Sequence, residues 1–334
     1  MTGIDFQGQS RWRVNLGTWP TPIEPAPRLA AALGLNPNDL WVKRDDLSGL
    51  GGGGNKTRKL EWTIGQAIAN DADTLVTTGS PQSNHARLTA AAGARLGLDV
   101  VLVFPGSPGG LRSGNLVLDG LFGARIAWAG DVEQDGLAAA SASAMASLRE
   151  SGSRPWLIPF GGSNAVGALG YMVCGQELTA QMPDLETVVL ALGSGGTMAG
   201  LVASLGAAAV LGIDTGAMKD PLSAVAAMAS EVGKSVVHTE QLRSRLDLVG
   251  RNYGDLTTDT IEAISLAART EGIVLDPVYT GRAMAGLIAS VRDGGILPGS
   301  KTIFLHTGGL PGLFGHLPMS AHAENSLVSF PLHD

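Results

Sequence analysis

The sequence predicts an α/β protein whose strands form open, mostly parallel sheets. Short runs rich in Val, Leu, Ile and Thr alternate with longer Ala-rich stretches at helical spacing. Those runs are apolar throughout and do not alternate, so both strand faces are to be buried, as in a parallel sheet covered by helices. Glycine supplies 47 of 334 residues and clusters where apolar runs end, which is how α/β chains turn between strand and helix.

Taken in order, "DTLVTT" (73–78) predicts a strand, followed by a helix from Asn84 to Leu96 and a second strand at "DVVLVF" (99–104). "ARIAWA" (124–129) precedes an Ala/Ser/Met-rich helix over 135–149, and "PWLIPF" (155–160) leads into a helix over about 166–181. "TVVLAL" (187–192) meets a glycine cluster and a helix beginning near Met198, and "KTIFLH" (301–306) is a late strand. No fixed-period repeat, low-complexity tract or linker is visible, so two domains, if present, exchange the chain at turns.

Composition narrows the function. Hydrophobic residues make up 44% and charged residues 16%, with mean hydropathy +0.18, so there is ample material for a core. A net charge of -7 and the single Cys174 argue against a nucleic-acid footprint, a disulfide framework or a Cys-rich zinc site, and no metal site is expected. The N-terminus lacks the order of a signal peptide and no apolar run reaches membrane-spanning length. The expectation is a soluble, cytoplasmic protein with a small-molecule partner.

Ligands of open parallel sheets gather at strand ends. Four glycine-rich ends stand out: "GLGGGGNK" (49–56), "TTGSPQSNH" (77–85), "LGSGGTMAG" (192–200) and "HTGGLPG" (306–312). In the third, a buried strand ends in Gly193, Ser194, Gly195, Gly196 and Thr197, and a helix follows. The exposed amides of such a turn, backed by the helix dipole, cradle an anion, and glycines let a phosphate approach the backbone. No Lys-Ser/Thr pair follows, so it is not a Walker A loop, and the spacing is not that of a dinucleotide fingerprint. A simple tight turn needs fewer small residues and no hydroxyls.

The first end sets Lys56 after four glycines. A lysine that forms a Schiff base needs a cofactor ring close by and a lowered pKa, and glycines before it with cationic Arg58 and Lys59 after it would serve both. Alone, the stretch reads equally as a flexible loop with an exposed lysine. Combined with a phosphate cradle far along the chain, it points to pyridoxal 5'-phosphate (PLP), which demands both.

"KRDDLSGLGGGGNKTRKLE", "GSPQSNHARLTAAAG", "LDPVYTGRAMAGL" and "FLHTGGLPGLFG" resemble, in this order, the D-cysteine desulfhydrase and 1-aminocyclopropane-1-carboxylate (ACC) deaminase group. These are PLP enzymes of the tryptophan-synthase-β-like fold (fold type II), and the resemblance runs from about Thr21 to Gly315. It implies two open, twisted, mostly parallel α/β domains with PLP between them: a discontinuous large domain, 1–57 plus 164–334, and an inserted small domain, 58–163. It implies Lys56 as the Schiff-base lysine and proton shuttle, with Asn55 beside it. Asn84 matches the asparagine that bonds the cofactor's phenolic oxygen. Ser83 matches a serine that holds the substrate carboxylate or moves protons, with Gln82 and His85 in the same substrate loop. Gly193 to Thr197 matches the phosphate loop, Thr307 and Thr280 supply hydroxyls on the pyridine-nitrogen side, and Tyr279 and Tyr253 face the substrate. A homodimer is expected by the same resemblance.

Plainer roles stand beside these. Asn84 and Ser83 also read as helix N-cap residues. Tyr279 could be a core ring with a bonded hydroxyl. His85 and His306 are given no catalysis. Asp45 and Asp46 read as solvated or salt-bridge carboxylates, and Cys174 as buried and inert.

ACC deaminases resemble this chain but carry Glu after the tyrosine of the PVY motif and Gln where His85 stands. Thr280 and His85 match the D-cysteine desulfhydrase branch. A hydroxyl leaves a weaker electron sink than a carboxylate would, and that suits β-elimination with a good leaving group. The expected activity is that of a carbon–sulfur lyase, D-cysteine giving pyruvate, sulfide and ammonia. ACC ring opening to 2-oxobutyrate, cysteate or another β-substituted alanine, and a catalytically silent PLP-binding protein are the alternatives. A nicotinamide-dependent dehydrogenase would need an early G-x-G-x-x-G, and none occurs.

Overall fold

Two sheets organise the computed structural model, which describes residues 12–109 and 113–328. In chain order the elements are β1 (Ile23–Pro25), α1 (Pro27–Ala32), β2 (Leu40–Arg44), α2 (Lys56–Ala69), β3 (Thr74–Thr78), α3 (Asn84–Leu96), β4 (Asp99–Phe104) and α4 (Asn115–Leu121). There follow β5 (Arg125–Trp128), α5 (Gln134–Glu150), β6 (Pro155–Leu157), α6 (Ala165–Gln181), β7 (Thr187–Leu192), α7 (Gly196–Leu205), β8 (Val210–Asp214) and α8 (Pro221–Gly233). The chain continues through β9 (Arg243–Arg245), α9 (Thr258–Glu271), α10 (Thr280–Arg292), β10 (Thr302–His306), α11 (Leu310–Phe314) and α12 (Leu317–Asn325).

The six-stranded sheet has the order β1-β2-β10-β7-β8-β9, and the four-stranded sheet β5-β4-β3-β6. Every pairing is parallel except β1 with β2. All four strands of the smaller sheet fall within 74–157, while the larger draws on 23–44 and 187–306. Burial explains the uniformly apolar runs: β8 and β10 are buried at every position. One face of the larger sheet packs Phe304 and Val42 against Leu29, Ala263 and Met284, and the other packs Val188 and Leu305 against Tyr171, Met198 and Val225. The smaller sheet buries Leu75 and Leu102 under Leu60 and Leu88 on one side, and Val76 and Val101 against Leu148 on the other. Parallel strands share a direction, so their carboxyl ends line one edge of each sheet, and there the four glycine-rich turns converge.

Sequence and structure differ at two places. The run 155–160 ends as a strand at Leu157, because Pro159 has no amide to donate and the turn Phe160–Gly162 requires φ +64° at Gly161. β2, in "LWVKR", escapes the apolar-run criterion because it carries charge, yet Lys43 is buried. Its ammonium donates to the Thr21 carbonyl and to Glu177 and Gln181. The same network explains Asp45, which is fully buried and accepts from Arg58 Nε and Nη2 at 2.8 and 3.0 Å and from Thr21 and Tyr171. Burial works to raise the Asp45 pKa, but the Arg58 charge and these hydrogen bonds outweigh it and hold the carboxyl below its usual range. Arg58 also reaches Glu177 and stacks on Trp19 at 4.0 Å. α2 is thereby bolted to α6, to the segment that precedes β1 and to the turn that follows β2.

Candidate active site

Lys56 is the first residue of α2, and the glycine run exists to put it there. The backbone of Gly53 presses against that of Asp46: an added Cβ would lie 1.8 Å from the Asp46 carbonyl oxygen, at φ +73°. Gly54 meets the Thr307 carbonyl, which accepts the Asn55 amide at 3.0 Å. The expectation that these glycines clear room for a cofactor ring gives way to a backbone reason: they let the loop after β2 seat directly on the loop after β10.

The Lys56 side chain is half-buried in a cleft of about 490 Å³ between the two sheets. Burial pushes its ammonium down to about 8 from the usual 10.5, while a hydrogen bond with Lys59 acts in the opposite sense. The sequence alone points to the Arg58 and Lys59 charges as the cause of this lowering. Arg58 is instead neutralised by Asp45 and Glu177, and desolvation dominates. Lys59, one turn along the same helix face, donates to Ser163 Oγ at 3.0 Å and to the Gly161 carbonyl at 3.3 Å. Burial, and then the Lys56 charge, push its pKa well below the lysine value.

Beside the two amines lies the turn after β7. Gly195 takes φ +85° as the N-cap of α7, Ser194 Oγ lies 2.7 Å from Ser163 Oγ, and Asn55 Nδ2 donates to Thr197 Oγ1 at 3.1 Å. A Cβ on Gly161 would meet Ser194 Oγ at 2.2 Å and Lys56 Nζ at 3.6 Å; one on Gly196 would meet Ser163 Oγ at 2.7 Å and Lys59 Nζ at 3.2 Å. Helix amides, three hydroxyls and an amine therefore converge on one bare-backbone pocket. Among the described residues neither Lys56 nor Lys59 makes an ion pair. Two amines lining the cleft, one buried and one half-buried, without a carboxylate fit a site whose counter-charge is a bound anion.

The remaining walls place the other predicted residues. Ser83 is the N-cap of α3, accepting from Ala86 N at 3.2 Å, and still lines the cleft. Asn84 begins the helix and lines the cleft; its Oδ1 accepts from Asn115 Nδ2 at 3.1 Å. His85 pairs Nε2 with Thr77 Oγ1 at 2.9 Å. Since that hydroxyl donates to the Ile158 carbonyl, the imidazole must carry its proton on Nε2, leaving Nδ1 as an unprotonated acceptor. Burial, then the Lys56 and Lys59 charges, keep it neutral by lowering its pKa well below 6.5. Tyr253 and Tyr279 share a short hydroxyl–hydroxyl bond with rings 5.9 Å apart at 74°, and burial raises both phenol pKa values. Thr307 lines the cleft as well, its carbonyl holding the Asn55 amide beside Lys56. His306 accepts from Gly308 N and bonds the Val274 carbonyl, a structural role that pins this turn.

Three predicted residues do not line the cleft. Gln82 faces away, binding Ser113 O with Nε2 and Asn115 N with Oε1. Thr280 is fully buried, its hydroxyl spent on Asp276 Oδ1 at 2.7 Å and on the Asp276 amide. Gly196, the first residue of α7, turns its Cβ position toward Ser163 Oγ and Lys59 Nζ and not toward the open cleft. Sequence reasoning missed Lys59 and Ser163 as cradle donors and Asp276 as an organiser. The Asp276 carboxylate accepts from the amides of Val278, Tyr279 and Thr280 at 2.9–3.0 Å, fixing the start of α10 and with it Tyr279. Its presence in "LDPVYTG", an acid just before a helix, was a readable capping signal.

Two parallel sheets facing across a cleft, a lysine of depressed pKa and an anion cradle a short reach away define a phosphate-cofactor enzyme whose reactive group is an amine. Comparison with known proteins agrees. The profile of the family described as pyridoxal-phosphate dependent enzymes matches residues 14–308. A Pyrococcus furiosus protein bearing the provisional name 1-aminocyclopropane-1-carboxylate deaminase is 37% identical over 95% of this chain and 96% of its own length. A Klebsiella pneumoniae protein named D-cysteine desulfhydrase is 38% identical over 94% of this chain and 99% of its own. A crystal structure of an ACC deaminase homologue superposes with TM-score 0.84 at 34% identity, covering 93% of this chain and 95% of that one. The chain belongs to the pyridoxal-phosphate dependent enzyme family, with the fold type II architecture and PLP as its cofactor. Among the described residues no helix is long and apolar enough to cross a membrane.

Proposed function

We propose that this enzyme catalyses β-elimination on a small β-substituted amino acid, with D-cysteine going to pyruvate, sulfide and ammonia. The observation that carries this reading is the neutrality of the cleft wall at the end of β10. Thr307 lines that wall, and the one carboxylate among the described cleft-lining residues, Glu133, is exposed and belongs to the other sheet's side. Without an acid at the ring nitrogen the electron sink is weak, which favours a substrate whose leaving group carries the charge away.

Bound PLP supplies an aldehyde for amine attachment and an electron sink at the substrate Cα. In this proposal Lys56 anchors the cofactor and afterwards holds and moves the proton at Cα; a pKa near 8 keeps the amine available as a base. The turn 193–197, with Ser163, Ser194 and Lys59, would hold the phosphate. Asn84 would hold the cofactor's phenolic oxygen, and the Thr307 hydroxyl would serve its pyridine nitrogen. Ser83 and the α3 amides hold the substrate carboxylate. Tyr279, braced by Asp276 and bonded to Tyr253, keeps a high-pKa phenol ready to protonate the departing group. Gln82 and Thr280 act at one remove, through Asn115 and Asp276.

ACC ring opening to 2-oxobutyrate is the second reading, favoured by the names of the relatives. Assay of the PLP-loaded enzyme with D-cysteine, L-cysteine, cysteate and ACC in parallel tests the choice. Pyruvate from D-cysteine without 2-oxobutyrate from ACC is expected; 2-oxobutyrate would refute the neutral-wall argument. The proposal extends to a discontinuous large unit, 1–57 plus 164–334, around an inserted unit, 58–163; 1–11, 110–112 and 329–334 lie outside the described residues. It also includes a cytoplasmic homodimer, for which the exposed side chains of Leu310, Phe314 and Leu317 offer an apolar surface.

A further inference from the structure

Two polar pairs lie one behind the other where α3 and α4 meet. Asn84 and Arg87 share one face of α3, being three residues apart, and Asn115 and Asp119, four apart, share one face of α4. At the cleft end Asn115 Nδ2 donates to Asn84 Oδ1 at 3.1 Å and to the Gln82 carbonyl at 2.8 Å. A turn further along, Arg87 and Asp119 are both fully buried, and neither lines the cleft. Arg87 Nη2 donates to the Gly53 carbonyl at 2.7 Å, three residues before Lys56. The loop carrying that carbonyl rests on the same helix: a Cβ on Gly51 would fall 2.7 Å from Ala91 Cβ and 3.3 Å from Leu88 Cδ2. Among the described residues, Arg87 Nε and Nη1, Asn115 Oδ1 and both Asp119 carboxylate oxygens have no hydrogen-bond partner.

This arrangement is poor at stabilising the fold. Burial pushes the Asp119 carboxyl up to about 7 against the pull of the Arg87 charge, and pushes Arg87 down to about 10 against the pull of Asp119. Desolvation thus outweighs the mutual attraction, and apolar side chains of similar volume would serve stability as well or better. What the pair does supply is placement. Arg87 grips the loop that delivers Lys56, and its attraction to Asp119, little screened in the interior, keeps α4 in register and with it Asn115 on Asn84. We propose that Arg87 and Asp119 are positioning residues, which fix Lys56 and Asn84 relative to each other before PLP binds. The proposal rests on the cofactor contacts assigned to those two residues above.

The test replaces the pair with apolar side chains, Arg87→Met together with Asp119→Val, and reads three quantities. These are the urea midpoint of the apoprotein, its affinity for added PLP by absorbance titration, and the pH midpoint of Lys56 acetylation. A positioning role predicts a urea midpoint no lower than the parent's. It also predicts a PLP Kd raised about tenfold or more, the effect of losing one hydrogen bond to a charged group. The Lys56 midpoint should move from about 8 toward 10.5 as the loop lets the amine into water. Arg87→Lys keeps the charge, but one ammonium lacks the fork to hold the Gly53 carbonyl while facing Asp119, and PLP affinity should fall in the same direction. Parent-like PLP affinity and Lys56 midpoint in either folded variant would overturn the proposal. A lower urea midpoint, or a double variant that does not fold, would also overturn it, since the pair would then be a general brace of the fold. Borohydride reduction of the parent holoenzyme, with mapping of the pyridoxyl-bearing lysine, tests the underlying reading separately. An adduct on a lysine other than Lys56 refutes that assignment, while the acetylation midpoint, read without cofactor, still decides whether the pair places the amine.

Discussion

The pKa of Lys56 can be tested without cofactor or substrate. A fall from 10.5 to about 8 makes roughly one amine in ten unprotonated at pH 7, against roughly one in three thousand for an ordinary lysine, a gain of about 300-fold. Limiting acetic anhydride applied to the apoprotein at graded pH, with mass-spectrometric quantitation of Lys56 against exposed Lys219, should give a labelling midpoint near 8. The Lys59 variant then separates two causes. If mutual repulsion lowered the Lys56 value, Lys59→Met would raise the midpoint. Here the interaction with Lys59 holds the Lys56 pKa up, so Lys59→Met should move the midpoint below 8. A midpoint above 10 in the parent protein, or a rise in the variant, would refute the desolvation argument. The sign carries into stability. The folded value lies below the unfolded one, so folding is penalised below about pH 8 and the penalty is lifted as pH passes 10.5. The relief is roughly 3 kcal/mol at most, less whatever water screens in the half-buried site.

Gly53→Ala should leave no folded protein, or protein with Lys56 displaced, because its Cβ would fall 1.8 Å from the Asp46 carbonyl; circular dichroism and Lys56 labelling would report it, and a folded variant with native labelling would contradict the backbone reason given for the glycine run. Asp276→Ala strips three amides of their acceptor at the start of α10 and should cost at least about 2 kcal/mol in urea unfolding. Its kcat should fall with Tyr279 misplaced, and unchanged kcat would count against a positioning role. Arg58→Met leaves Asp45 buried and unpaired, with an expected loss of about 3–5 kcal/mol. Arg58→Met with Asp45→Asn should recover part of it, and no recovery would show that the ion pair is not the cause.

Local pattern carried much of this protein. Uniform hydrophobicity in "DVVLVF" and "KTIFLH" reported strands buried on both faces, hence a parallel sheet, because a strand's side chains sample both faces within two residues. The turn 193–197 and Lys56 were legible for the same local reason: glycines, hydroxyls and a helix start lie within a few residues of each other. Tertiary structure alone brought Lys59 to Ser163 and Ser163 to Ser194, contacts that join segments about 100 and 30 residues apart. It turned Thr280 and Gln82 away from the cleft, because each found a partner with better geometry in the scaffold, Asp276 for one and the start of α4 for the other. It also buried Asp45 and Lys43, which the sequence presents as ordinary charged residues. Propensity and periodicity describe what a segment does with its neighbours in the chain. Charge pairing, desolvation and the direction of a hydroxyl depend on what another segment brings to the same place, and only the folded chain decides that.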